Sequence, residues 1–172
     1  MDIHGLRHES FSAYVSAPPP ALFTFLDDPR NLSRHMEKRS WMMMGSTMAI
    51  EADARGGREV GSLIRMRARV LGVELGLEEV VTVREARRKA WETIGTPRLL
   101  VIGRYRMGFE IEPRERDSLL TVSIDYEPRP LLPFGWLGPA YARWCTRRMG
   151  LDAAAHFRRR EGRGAIAPDP GG

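Results

Sequence analysis

The chain has 172 residues, of which 42% are hydrophobic and 28% are charged, and it holds one cysteine, Cys145. These values fit one domain with its own core and exclude a disordered polar chain or a small scaffold held by disulfides within the chain. The formal net charge of +5 does not indicate a nucleic-acid module, because residues 1–128 carry 19 basic and 19 acidic side chains.

The first predicted elements are a strand and two short helices. Residues 10–17 alternate apolar and polar side chains with the period of a half-buried strand. Three prolines, Pro18 to Pro20, then end the strand, and proline is accepted in the first turn of a helix. We therefore expect one short helix over residues 19–26 and a second over about 29–37, with Asp28 as its N-cap.

A methionine-rich segment follows these helices. Trp41 stands beside Met42, Met43 and Met44, and Met48 comes soon after. Methionine is flexible and polarizable, so such a cluster can line a surface that adapts to apolar ligands. The same residues also suit the core side of a second strand, and the sequence leaves both interpretations open.

Five segments with strand periodicity occupy the middle of the chain, over residues 62–70, 73–83, 89–96, 101–112 and 119–127. In the first of them Arg65, Arg67 and Arg69 share one face, and Glu74 and Glu78 follow on the next segment. Such rows are typical of the solvent face of an antiparallel pair. Short turns between the later segments predict an antiparallel meander.

An apolar, proline-rich connection and a helix end the predicted fold. Residues 128–139 cannot form regular structure, because they contain four prolines, and they predict either a lid or a packed connection. A helix over about residues 141–157 places Tyr141, Cys145 and Met149 on one stripe. We expect one domain over residues 1–160 and a disordered tail over 161–172.

The positive excess lies on and after this last helix. Eight arginines stand between Arg129 and Arg163, against Asp152 and Glu161. They fit a solvated helix face, with cations favoured near the C-terminal end of the helix dipole. The alternative is peripheral contact with an anionic membrane or an acidic partner.

The order of strand, two short helices, sheet and long C-terminal helix resembles the START-like or SRPBCC superfamily. The resemblance covers roughly residues 9–157, and its cues are FSAYVSAPPPALFTFLDD, GSLIRMRARVLGVELGLEEVVTV and YEPRPLLPFGWLG. Within this superfamily the chain looks like the polyketide cyclase or dehydrase branch. The resemblance implies an α+β helix-grip fold, in which a curved antiparallel sheet of about six to seven strands wraps around the C-terminal helix.

The resemblance also implies a pocket between the sheet and the last helix for a lipid, a polyketide or a similar apolar molecule. Aromatic and methionine side chains on the predicted inner faces are the candidate walls, although such residues also serve as ordinary core. The candidate ligand-binding residues are Trp41, Met43, Met66, Trp91, Tyr105, Met107, Tyr126, Tyr141, Trp144 and Met149.

The sequence contains none of the common catalytic signatures, such as a nucleophile elbow, a phosphate-binding loop or a zinc-binding HExxH. If the chain is an enzyme, Tyr105 or Tyr126 together with one histidine or a buried carboxylate would polarise a carbonyl or move a proton. Asp125 and Glu79 are possible carboxylates, but both also fit the solvent face. No cofactor and no metal is expected.

These features favour a non-catalytic binding or carrier protein for a hydrophobic small molecule. The alternative is an enzyme of the polyketide cyclase, aromatase or dehydrase type. The first ten residues are polar and the longest apolar runs are short, so we expect a cytoplasmic protein. A nucleic-acid partner is not expected, and either a monomer or a homodimer fits the sequence.

Overall fold

The computed structural model describes residues 5–32, 48–70, 72–129, 131 and 134–164. In these ranges the chain forms seven strands, three α-helices and a 3-10 turn at Gly135–Leu137. The strands are β1 (Arg7–Val15), β2 (Met48–Ala52), β3 (Leu63–Val70), β4 (Val73–Arg84), β5 (Arg88–Arg98), β6 (Ile102–Arg114) and β7 (Asp117–Pro128). The helices are α1 (Pro19–Asp27), α2 (Pro29–Leu32) and α3 (Gly138–Gly164).

All seven strands belong to one antiparallel sheet with the order β1-β7-β6-β5-β4-β3-β2. Strands β2 to β7 are sequential neighbours, and β1 pairs with β7, so the chain's first strand closes one end of the meander. This sheet, the two short helices after β1 and the long C-terminal helix confirm the α+β helix-grip prediction. The predicted strand count of six to seven is confirmed as well.

Several elements differ in length from their predictions. Strand β1 begins at Arg7 rather than at residue 10, because Arg7 still pairs with Tyr126 of β7. Helix α3 begins at Gly138 and continues to Gly164, so it includes residues 161–164 of the expected tail. The predicted continuation of α2 to residue 37 and the rest of the tail lie outside the described residues.

Helix α3 packs against β1 and β7 and covers the inner face of the sheet. Ala142, Cys145 and Met149 of the helix are buried in the same apolar cluster as the inner-face side chains of the strands. The helix comes closest to β1 at Gly150, where an added Cβ would lie 2.9 Å from Cδ1 of Phe11. A glycine at this position therefore allows the close approach of helix and sheet.

A buried ionic cluster of Asp27, Arg84 and Lys89 ties the C-terminal end of α1 to the sheet. The Lys89 ammonium, on a side chain that is only 1% exposed, donates to Oδ1 of Asp27, to the Asp27 carbonyl and to the Gly57 carbonyl, each at 2.8 Å. Arg84 donates to both carboxylate oxygens of Asp27. Burial acts to raise the pKa of Asp27, but the hydrogen bonds and charges of Arg84 and Lys89 outweigh it and lower that pKa.

Candidate functional site

The inner face of the sheet carries a buried carboxyl group, Glu79. Strand β4 alternates so that Leu77, Glu79 and Val81 all point inward, and Glu79 is only 1% exposed. An ionised carboxylate is costly to bury, so such a group must be hydrogen-bonded or neutral. Glu79 is therefore a candidate for a role beyond packing.

The carboxyl of Glu79 is hydrogen-bonded to two neighbouring strands. Tyr105 of β6 donates its hydroxyl proton to Oε1 of Glu79, and Trp91 of β5 donates to the same carboxyl. Burial is the largest influence and raises the pKa of Glu79 to about 7, although both hydrogen bonds and the charge of Lys89 act to lower it. Near neutral pH this buried group can thus hold or release a proton.

Tyr105 is positioned by its own strand pairing. Its backbone N–H donates to the hydroxyl of Thr93 at 3.0 Å, and that hydroxyl donates to the Tyr105 carbonyl at 3.3 Å. Burial and the adjacent Glu79 raise the pKa of Tyr105 well above its ordinary value. Tyr105 therefore remains a protonated hydrogen-bond donor at physiological pH.

Helix α3 contributes two more polar side chains, Tyr141 and Cys145, to the surroundings of Tyr105. Tyr141 and Cys145 share a side-chain hydrogen bond, and both lie near Tyr105. Burial raises the pKa of the Cys145 thiol to about 12, so this cysteine stays a thiol rather than a thiolate nucleophile. We name Glu79, Tyr105, Tyr141 and Cys145 the polar cluster; it lies between the sheet and α3.

Most candidate ligand-binding residues belong to the interior around this cluster. Tyr141 and Trp144 are partly buried and pack against the apolar core. Trp41 and Met43 lie outside the described residues. The remaining candidates are all at most 5% exposed and belong to one contiguous core: Met66, Trp91, Tyr105, Met107, Tyr126 and Met149. Their contact with a ligand stays a prediction.

The two candidate catalytic tyrosines have different surroundings. Tyr105 and Tyr126 are cross-strand neighbours, but Tyr126 has Arg7, Glu9 and Arg143 as its charged neighbours rather than Glu79. Burial raises the pKa of Tyr126, and the nearby arginines oppose this shift. The structure thus joins Tyr105, and not Tyr126, to a buried carboxyl.

The two candidate carboxylates also differ. Oδ1 of Asp125 lies 2.7 Å from Nδ1 of His8, and both side chains are well exposed. Asp125 therefore belongs to the solvent face, whereas Glu79 belongs to the interior. Sequence reasoning had named Glu79 only as one of two possibilities, and its shared face with Leu77 and Val81 was the signal for burial.

Part of the basic excess on α3 is engaged within the fold. The Arg147 guanidinium lies over the ring of Phe11 at 5.5 Å, and Arg148 pairs with Asp152 at 3.3 Å. Contact of this helix with an anionic membrane or an acidic partner remains a prediction. Within the described ranges, no helix is long and apolar enough to cross a membrane.

No metal centre is evident in the part of the chain that the structure describes. No group of three or more His, Cys, Asp or Glu side chains there lies close enough together to hold a metal ion. The side chains of the polar cluster are able to form hydrogen bonds and to transfer protons.

No protein-family model and no curated protein matches this sequence, whereas solved structures do match its fold. The Zhui aromatase/cyclase from Streptomyces sp. R1128 has a TM-score of 0.60 at 13% identity, over 94% of this chain and 97% of that one. A START superfamily protein from Mycobacterium smegmatis has a TM-score of 0.60 at 15% identity, over 90% and 99%.

Norcoclaurine synthase from Thalictrum flavum, a point mutant in complex with a transition-state analogue, matches with a TM-score of 0.60 at 16% identity, over 91% of this chain and 96% of that one. These identities are low, so the likeness concerns the fold alone. Together with the seven-stranded sheet and the long C-terminal helix, it leads to one conclusion: the chain has the helix-grip fold that these solved structures share.

Proposed function

We propose that the chain binds an apolar small molecule bearing a carbonyl or hydroxyl group between the sheet and α3. The observation that carries the proposal is the polar cluster, which lies within an otherwise apolar core. Buried polar groups are costly unless they are hydrogen-bonded, and an apolar core would be cheaper to build without them. A site that recognises one oxygen atom of an apolar ligand explains their presence.

The chemistry of the cluster fits a neutral oxygen rather than an anion. Tyr105 is held as a protonated donor, and Glu79 is neutral or ionised depending on pH. A ligand carboxylate placed here would meet the buried Glu79 carboxyl and would suffer its repulsion or require its protonation. A ketone or an alcohol can share hydrogen bonds with both groups.

We expect wild-type protein to bind 2-acetylnaphthalene more tightly than 2-ethylnaphthalene, which has a similar shape but no oxygen. Tyr105→Phe should weaken the binding of the ketone about three- to tenfold, as for loss of one buried hydrogen bond, and leave the hydrocarbon unaffected. Titration calorimetry measures both affinities. The matched control is Tyr14→Phe, since Tyr14 is 72% exposed on β1. Equal binding of ketone and hydrocarbon by the wild type would contradict the proposal.

The Glu79–Tyr105 pair also supports a second candidate function, proton transfer on a keto substrate of the cyclase or dehydrase type. In such a step the Tyr105 hydroxyl turns its single proton from Glu79 to the ketone oxygen, and ionised Glu79 takes a proton from the carbon next to the ketone. The electrons of the broken C–H bond then form the enolate. A base with a pKa of about 7 suits this task near neutral pH.

Deuterium uptake at the methyl group of 2-acetylnaphthalene, followed by NMR in D2O, tests this second function. Wild-type protein should accelerate the uptake, and Glu79→Gln should lower the accelerated rate about 100-fold or more while binding is retained. If the wild-type protein gives the same rate of deuterium uptake as Glu79→Gln or as buffer alone, proton transfer is contradicted and binding is the function. Parallel loss of binding and rate would mean that Glu79 only positions the ligand.

A further inference from the structure

One end of the sheet lies beside the first turn of α3. Strands β3, β5 and β7 end there, and β1, β4 and β6 begin there, because neighbouring strands are antiparallel. A Cβ added to Gly138 of α3 would lie 3.5 Å from the carbonyl oxygen of Val101 and from Cε2 of Tyr126. We name this the loop end of the fold; its connections are residues 71–72, 99–101 and 129–137.

The connections of the loop end differ in composition from those at the opposite end of the sheet. Between the strands at the opposite end, residues 53–62, 85–87 and 115–116 carry four acidic and four basic side chains. The three connections of the loop end carry no acidic side chain and one basic side chain, that of Arg129. Connections usually run over the surface of a protein, so the apolar sequence of the loop end needs a physical reason.

Large apolar side chains are exposed at the loop end. Val73, the first residue of β4, is 52% exposed. In the connection from β7 to α3, Leu131 is 100% exposed and Trp136 is 73% exposed. Packing within the fold therefore does not explain these three side chains. Tryptophan combines an apolar ring system with one N–H group, which suits it to the boundary between the head groups and the acyl chains of a membrane.

The loop end also carries an excess of positive charge. Arg104 and Arg129 share one carboxylate, that of Glu127. Arg98 ends β5 and Arg143 lies on the second turn of α3, and both side chains are exposed. Neither of these two arginines forms an ion pair with a carboxylate of the described residues. Exposed cations thus lie at the same end of the fold as exposed apolar side chains.

We propose that the loop end binds the surface of an anionic phospholipid membrane. Trp136 and Leu131 enter the boundary between head groups and acyl chains, while the arginines of the loop end attract the anionic head groups. The exposed apolar side chains belong to separate connections, and a fluid lipid layer can accommodate each of them. A folded acidic protein fits less well, because it needs one contiguous complementary surface. The proposal does not depend on the ligand of the polar cluster.

Co-sedimentation with two kinds of vesicle tests the proposal, one of phosphatidylcholine alone and one of equal parts of phosphatidylcholine and phosphatidylserine. We expect the protein to bind the anionic vesicles about tenfold more tightly than the neutral ones, and added NaCl to weaken this binding by screening the arginines. Arg98→Gln and Arg143→Gln together should weaken binding to the anionic vesicles about tenfold. Trp136→Ser and Leu131→Ser together should weaken it by about the same factor, because apolar surface is no longer buried in the membrane.

The matched control is Val60→Ser with Arg116→Gln, since both residues are exposed at the opposite end of the sheet. This variant should bind the vesicles as the wild type does, and an equal loss of binding in it would show that the loop end is not the contact. Absent binding, or equal binding to both kinds of vesicle, would overturn the proposal. Poly-glutamate tests for an acidic protein instead. If it binds as tightly as the anionic vesicles do, and the Trp136 and Leu131 variant leaves both affinities unchanged, the partner is an acidic protein and the proposal fails.

Discussion

Replacing Lys89 with methionine is expected to lower the free energy of unfolding by about 3–5 kcal/mol. The substitution keeps a long apolar side chain but removes the buried ammonium and its three hydrogen bonds to Asp27 and Gly57. Asp27 is only 6% exposed, and in this variant its carboxylate keeps only Arg84 as a charged partner. Removing one partner of a buried ion pair leaves the other charge uncompensated, which is the main cost. Urea unfolding at pH 7 measures the change.

The neighbouring residue Arg88 provides the control for this prediction. Arg88 is exposed on the same strand, so Arg88→Met should change the free energy of unfolding by no more than about 0.5 kcal/mol. If Lys89→Met fails to fold, Arg84→Gln is the milder test, since Arg84 is more exposed and Lys89 still neutralises Asp27. Values for Lys89→Met close to those of Arg88→Met would show that the cluster contributes nothing to stability.

The sheet could be predicted because each strand has one buried face and one solvent-exposed face, so apolar and polar residues alternate along the sequence. Tyr105 and Met107 on β6 and Ile124 on β7 follow this alternation, and the structure buries all three. The pairing of arginine and glutamate rows on β3 and β4 was predictable for the same reason. Arg65 and Glu78 are direct register partners. Local periodicity carries this information, and no distant contact is needed.

The candidate site could be predicted only in part. Glu79 shares its face with Leu77 and Val81, but glutamate is so rarely buried that the pattern alone gives it no interior role. Its partner Tyr105 is 26 residues away along the chain, and β5 lies between their strands. The contact of Lys89 with Asp27 spans 62 residues. Such pairings depend on how the sheet and helices meet, which sequence periodicity does not encode.

A bulge in β5 was not predicted either. It lies at residues 95–97, which stand opposite a single residue of β4 between the pairs Gly76–Arg98 and Glu78–Ile94. The sequence predicts that this strand ends at residue 96, because the proline that follows, Pro97, usually stops pairing. In the structure β5 continues to Arg98, and the extra residues leave the ladder before pairing resumes. A proline is accepted at such a bulge because its missing N–H has no ladder partner to lose.

The stability of the fold should decrease as pH rises from 5 to 8 through the ionisation of Glu79. Its pKa is raised from 4.5 to about 7 in the folded chain, so the folded state holds the proton more tightly than the unfolded state does. Below pH 4.5 both states are protonated and the shift has no effect; above pH 7 it costs the folded state about 3 kcal/mol. Glu79→Gln mimics the protonated carboxyl and should lose this dependence.

Urea unfolding of the wild type and Glu79→Gln at pH 5, 6, 7 and 8 measures this contribution. The stability of the variant relative to the wild type should grow by up to about 3 kcal/mol across the series, because every other titrating group is common to both proteins. Glu112→Gln is the control, since Glu112 is exposed and pairs with Arg114 at the surface. A constant difference between wild type and Glu79→Gln would mean that Glu79 ionises at its ordinary pKa. The polar cluster would then lack the carboxyl of raised pKa on which the proposed proton transfer near neutral pH depends.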